Sequence, residues 1–327
     1  MAKVLSISSK LRTGLYRTTR TMFFTQSKLL EAQITEVFDE LWPTVTAFKL
    51  LRWQVRGYYE ECSIDNNTRL TSKFVEPEDK SNRPNLYRMC VEESWADMEY
   101  RIAKNLLTNI FACYENWAAS ICKALQLPRD ACKWLQFPNT TRNNYQSVLN
   151  YMAGRGNQDI ITAFYDTYKT KNRNYNINKL NNWLLLYRYY KECRNAIIHN
   201  GGQTTQNLIN AYNSVCQFTA QDLDVEESPN IIQTNIGDPI QLSLRSVVGF
   251  SEIVLKIVST LDVEFIKGPN VDSYVATNIL NEIKHMFPTE QKTLQKNVNN
   301  VVQRGFFQKP GDVMAAYRVL TSLHIMR

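Results

Sequence analysis

Glycine and proline are scarce, 11 and 10 of 327 residues, which argues against a loop-rich or many-turned β fold. Histidine is scarcer still: His199, His285 and His324 are too few for a multi-histidine metal site within one chain. The seven cysteines, at positions 62, 90, 113, 122, 132, 193 and 216, are odd in number and include no CxxC pair. A disulfide framework or a zinc site therefore does not fit, and reduced core thiols in a reducing compartment are the simpler reading. No run approaches the roughly 18 uninterrupted apolar residues of a membrane helix, so a cytoplasmic protein with no membrane partner is expected. Residues 1–30 lack Asp and Glu, and also lack the compact apolar stretch of a secretory signal. There is no Gly-rich phosphate loop, GxSxG, HExxH or DxDxDG, so most catalytic templates fail. No metal or cofactor is expected.

What is present is aromatic and mildly basic. The chain holds 17 Tyr, 14 Phe and 6 Trp, rings that fill a core or, where exposed, stack on bases. Lys and Arg exceed Asp and Glu by 38 to 31, a net +7 that permits an anionic partner such as RNA without demanding one. The basic residues of the N-terminal stretch, Lys3, Lys10, Arg12, Arg17, Arg20 and Lys28, read as a solvated arm, a partner-binding helix or a transit-peptide-like segment.

Hydrophobic periodicity is helical nearly throughout. Residues 27–62 carry Leu30, Ile34, Val37, Phe38 and Leu41 at threes and fours, with an interruption expected at Pro43. Residues 63–86 are polar and turn-rich and read as a linker. A long helix is expected from Tyr87 to Leu127, ended by Pro128, followed by shorter amphipathic pieces over 129–176. Between Asn178 and Asn200, Trp183, Leu186, Tyr190, Cys193 and Ile197 form a buried stripe, and Gly201-Gly202 reads as a glycine cap. Ile231–Asn235 and Ile240–Leu244 flank Gly237-Asp238, which predicts a short β-hairpin before a helix through Leu261. The expected fold is mostly α: a helical bundle over 87–265 with one short hairpin, a helical N-terminal region over 1–80, and a small helical appendage over 270–327.

Chemistry concentrates at Arg194-Asn195-Ala196-Ile197-Ile198-His199. At about 100° per residue, Arg188, Glu192, Asn195 and His199 share one face, while Arg194 lies about 140° round from His199. Arg194 and His199 converge only if the long Arg arm wraps round or a second copy of the helix contributes. An Arg beside a buried stripe also calls for an anionic partner to offset its desolvation.

This segment resembles the R-x4-H motif of the HEPN superfamily (higher eukaryote and prokaryote nucleotide-binding domains), with the polar residue that often follows its Arg. The resemblance spans roughly residues 87–265. It implies a helical bundle and, in many members, a metal-independent endoribonuclease acting as a dimer in toxin–antitoxin, phage-defence or CRISPR-associated systems. Carried over, Arg194 would grip the scissile phosphate, and His199 would be general acid or base for attack by the ribose 2′-OH. Asn195 would orient one of the two. Implied partners are RNA, a second copy meeting this one through the Arg194–His199 helix, and a regulatory partner or antitoxin. Toxins modified by a partner nucleotidyltransferase carry a Tyr two residues after the His, where this chain has Gly201.

Lys169, Lys171 and Arg173, with Tyr168 and Tyr175, mix cations and rings as single-strand RNA grooves do, and are the candidate substrate-binding group. Glu99 and Glu115, on the long helix, are left outside the site. A non-catalytic HEPN-like module that binds RNA or nucleotide, or scaffolds a partner, is the competing reading.

Overall fold

The computed structural model describes residues 22–62, 67–75, 84–136, 144–283, 294–305 and 307–326. The expected basic arm up to Arg20, residues 63–66 and 76–83 of the polar stretch 63–86, and His285 lie outside these residues.

The helical expectation holds. Helix α1 (Thr25–Cys62) and α2 (Asn67–Phe74) are followed by a π-helical turn at Arg88–Glu92 and then by α3 (Trp95–Ala124). Next come α4 (Arg129–Gln136), α5 (Asn144–Met152), α6 (Asp166–Lys171), α7 (Leu180–His199) and α8 (Gln206–Asn213). The chain finishes with α9 (Leu244–Glu264), α10 (Val271–Ile283), α11 (Leu294–Arg304) and α12 (Val313–Ser322). Among the described residues no helix is long and apolar enough to cross a membrane.

Three local expectations are corrected. Helix α1 runs straight through Pro43. The proline leaves the Asp39 carbonyl without its usual donor, but this part of the helix is exposed, so water can take over. The stretch expected to be linker includes α2, whose Leu70 is buried with Val55, Leu86 and Cys90 in a small second core. The long central helix begins only at Trp95, where Ser94 and Asp97 form a reciprocal capping box.

The predicted hairpin is absent: no strand forms among the described residues. The turn itself exists, with the Asp238 N–H donating to the Asn235 carbonyl at 3.1 Å. Its flanks pair elsewhere. The Ile240 N–H donates to Gly202 O (2.9 Å), the Thr204 N–H to Asp238 O (2.9 Å) and the Gly237 N–H to Thr204 O (3.0 Å), leaving one antiparallel bridge between Gln203 and Pro239. The segment buries Ile240, Leu242 and Leu244 on the bundle while satisfying its backbone against the loop after α7.

One apolar core runs from Phe23 to Leu320 and so includes side chains from all three expected regions. At its centre α7 lies between α3 and α9. The Tyr187 ring packs on Phe111 and Tyr114 of α3 at 5.0 and 4.8 Å between centroids, and Tyr190 stacks on Phe250 of α9 at 4.4 Å. Two polar tips in this layer are paired, the Tyr190 hydroxyl donating to Ser246 O and the Trp183 indole N–H to Leu223 O, whereas the Tyr187 hydroxyl has no partner among the described residues. The start of α1 is fixed by Asp262 of α9, whose buried carboxylate accepts the Phe23 and Phe24 N–H groups at 2.6 and 3.0 Å.

Candidate functional site at the end of α7

The glycine cap expected after His199 is present. The Asn200 and Gly202 N–H groups both donate to the Ala196 carbonyl, at 3.0 and 2.9 Å. Gly201 and Gly202 take φ of +62° and +80°, values an L side chain rarely adopts. A Cβ built on Gly202 would lie 3.8 Å from the Tyr100 hydroxyl of α3, so the backbone here runs close beneath that ring. The pairing of 202–204 with 237–240 then holds the end of α7 in place.

Ile198, His199 and Asn200 are exposed at this end, whereas the middle of α7 is buried on nearly every side. The face carrying Arg188, Glu192 and Asn195 is therefore covered in its middle. Glu192 is only 5% exposed and forms an ion pair with Arg188 at 2.7 Å. Lys191 is buried next to them. Burial, followed by the Arg188 guanidinium, lowers its ammonium pKa to about 8, against the pull of Glu115 and Glu192. Glu115 of α3, set aside in the sequence, belongs to this cluster because it acts on both Lys191 and Tyr187. Its signal was legible: it lies one helical turn beyond Phe111, on the face that packs against Tyr187.

Arg194 is half-buried beside this group. It makes no ion pair among the described residues, in contrast to Arg188, and its Nε is buried without an acceptor. The Tyr187 hydroxyl, also buried, likewise has none. One end of the Arg194 guanidinium does have a partner: Nη1 donates to Asn195 Oδ1 at 3.3 Å. Asn195 stands one turn before His199 on the same face, so the arm turns part of the way toward the histidine. Among the described residues no hydrogen bond joins Arg194 to His199, and none orients the imidazole.

The candidate substrate-binding cations lie elsewhere. Lys169, Lys171 and Arg173 are exposed, with Lys169 Nζ 5.7 Å from the Tyr165 ring centre. The neighbouring rings face inward. Tyr168 is wholly buried and accepts the Gln308 N–H at 2.7 Å, while Tyr175 and Tyr165 both donate to Glu264 Oε1, at 2.7 and 2.9 Å. Glu264 also binds Lys267 at 2.8 Å, and both line a groove of about 250 Å³ with Tyr145 and Asn150. This network sits at the C-terminal end of α9, where the Asn176 N–H donates to Thr260 just before α7 begins. Because α7 then runs for 20 residues, roughly 30 Å separates these cations from His199 along the helix. The structure does not bring the two groups into one cleft of one chain.

His324 is exposed beyond α12. No group of three or more His, Cys, Asp or Glu suited to a metal ion occurs among the described residues. The class this fold and site define is an α-helical bundle whose central helix ends in a capped, exposed Asn–His turn beside an arginine without a carboxylate partner. Comparison with protein-family models, curated proteins and solved structures finds no match for the chain.

Proposed function

We propose that this protein is a metal-independent endoribonuclease, an RNA-cleaving effector or toxin of prokaryotic defence, with its site at the end of α7. The observation that supports the reading is the state of Arg194. A half-buried guanidinium with no carboxylate partner and a buried, unmatched Nε is set up to receive an anion, and a phosphate matches its planar donor fork. Asn195 holds one edge of that fork and sits one turn before the exposed His199.

In this mechanism Arg194 neutralises the scissile phosphate. The ribose 2′-oxygen attacks phosphorus, the bond to the 5′-oxygen breaks, and a cyclic phosphate remains. His199 takes the proton from the 2′-OH or gives one to the leaving oxygen, the transfer an imidazole performs well near neutral pH. A second copy meeting the chain at the Arg194–His199 helix would supply the other proton-transfer group. Its approach is favoured at the terminal turn, where Ile198 is 46% exposed, because the middle of α7 is largely buried.

The missing orientation of His199 favours a second reading, an RNA- or nucleotide-binding or scaffolding module without turnover. The deciding experiment is cleavage of a mixed RNA pool in EDTA by wild type, Arg194→Ala and His199→Ala. Cleavage by wild type alone supports the nuclease. Binding without cleavage by all three supports the module, and equal cleavage by all three refutes the site.

A further inference from the structure

Helix α1 carries a self-complementary seam on its outer face. Asp39, Trp42, Thr46, Lys49, Trp53 and Arg56 recur at alternating intervals of three and four residues, and all are exposed, with the Lys49 ammonium at the edge of the face, 4.8 Å over the Trp95 ring of its own chain. They fall within about 100° of the helix surface. Ile34, Val45 and Val55, on the inner side, are the positions that enter the cores. Trp42 is 47% exposed and Trp53 is 75% exposed. For rings of this size that leaves roughly 300 Å² of exposed aromatic surface, carried by two rings about 16 Å apart along one face of one helix.

We infer that this face binds a second copy of the same chain, with the two α1 helices antiparallel about a two-fold axis between Ala47 and Phe48. The pattern of charge selects both occupant and direction. In that single register Trp42 meets Trp53 of the second copy, Asp39 meets its Arg56, and Lys49 meets the neutral Thr46, each pair occurring twice. A parallel, in-register pairing would set Asp39 on Asp39, Lys49 on Lys49 and Arg56 on Arg56. Neither Asp39 nor Arg56 has an ion-pair partner within the chain among the described residues, so each is available to the other copy. Exposed Ala47 places a small side chain next to the axis, where two helices must come closest. The inference does not rest on the nuclease reading, and its surface is separate from the end of α7.

The test is the mass of the full chain by sedimentation across a concentration series, with circular dichroism to check folding. Wild type is expected to dimerise. Asp39→Arg and Arg56→Asp are each expected to raise the dimer Kd about tenfold or more, and the double exchange is expected to restore it toward wild type. Trp53→Gln gives an independent arm, weakening the dimer without loss of helix. A wild type that stays monomeric at its highest soluble concentration overturns the inference. So does a dimer indifferent to these changes but lost on Ile198→Glu, which would place the contact at α7. Single exchanges that weaken the dimer without mutual rescue overturn the register.

Discussion

Asp262 sits wholly inside the bundle, and its carboxylate accepts two buried N–H groups that open α1. Ser27 adds a third hydrogen bond, and its hydroxyl in turn accepts the Trp117 indole N–H at 3.0 Å. The Lys28 ammonium lies within electrostatic reach and is itself buried. Asp262→Ala therefore leaves two buried donors without an acceptor, at about 1–3 kcal/mol each. It also removes a negative charge that favours the protonated form of the buried Lys28 ammonium. Burial, opposed by Asp262, already lowers the Lys28 pKa to about 8, so without that charge the proton is given up near neutral pH, at roughly 1.4 kcal/mol per unit. The total is about 5 kcal/mol, a large share of the stability of an ordinary domain. Asp262→Asn keeps one acceptor oxygen and should lose about half as much, while Lys28→Met in the Asp262→Ala background should recover about 1–2 kcal/mol. Urea denaturation followed by helix circular dichroism reads all three. A loss under about 1 kcal/mol for Asp262→Ala would refute the assignment of this carboxylate as the anchor of α1.

The same group gives a pH signature. Burial pushes Asp262 up to about 6, against the hydrogen bonds from Ser27, Phe23 and Phe24 and the Lys28 charge, so the folded chain holds this proton more tightly than the unfolded one. Its contribution is complete below about pH 4 and lost as pH rises through about 6, up to about 3 kcal/mol, and Asp262→Asn should flatten that slope in denaturation midpoints. Arg194→Met removes a buried, unmatched donor and is expected to leave stability within about 1 kcal/mol of wild type while abolishing RNA cleavage. A loss above about 2 kcal/mol in thermal melts would instead make the guanidinium structural. Gly156→Ala would set a Cβ 2.6 Å from the Lys267 carbonyl oxygen, a backbone atom that cannot rotate aside. It is expected to cost about 1–3 kcal/mol by the same melts.

The helices were legible because each buries a stripe, and a stripe is a local pattern. The stripe of α7 from Trp183 to Cys193 is buried as its spacing requires. What covers a polar face is not local. Arg188, Glu192 and Asn195 share a polar face, yet Glu192 is buried, its charge paired with Arg188 at 2.7 Å and within electrostatic reach of Lys191. The hairpin failed for a related reason. Alternation in Ile240–Leu244 reports an extended segment with one buried side, but says nothing of which backbone pairs with it, and here the partner is the cap of α7. At Pro43 the expected interruption failed because the helix is exposed there and water can satisfy the freed carbonyl, whereas Ser94 and Asp97 carried a capping signature that the apolar run from Tyr87 obscured.

The same limit applies to the site. Spacing fixes the azimuth of Arg194 and of His199, about 140° apart, but not the reach of the arginine arm, which depends on a rotamer and its partner. Asn195 is that partner, through the 3.3 Å bond from Nη1 to Oδ1, and it shares the face of His199. If this bond positions the guanidinium for phosphate, Asn195→Ala should lower kcat/KM for RNA cleavage by about tenfold, the worth of one long hydrogen bond from a charged donor. The loss should fall on kcat if the contact matters chiefly in the transition state, and on KM if it serves binding throughout. Since Asn195 is partly exposed and bonds only its neighbour, stability should hardly move. Unchanged cleavage by Asn195→Ala, from an enzyme that Arg194→Ala inactivates, would show that the arginine finds the phosphate without the asparagine.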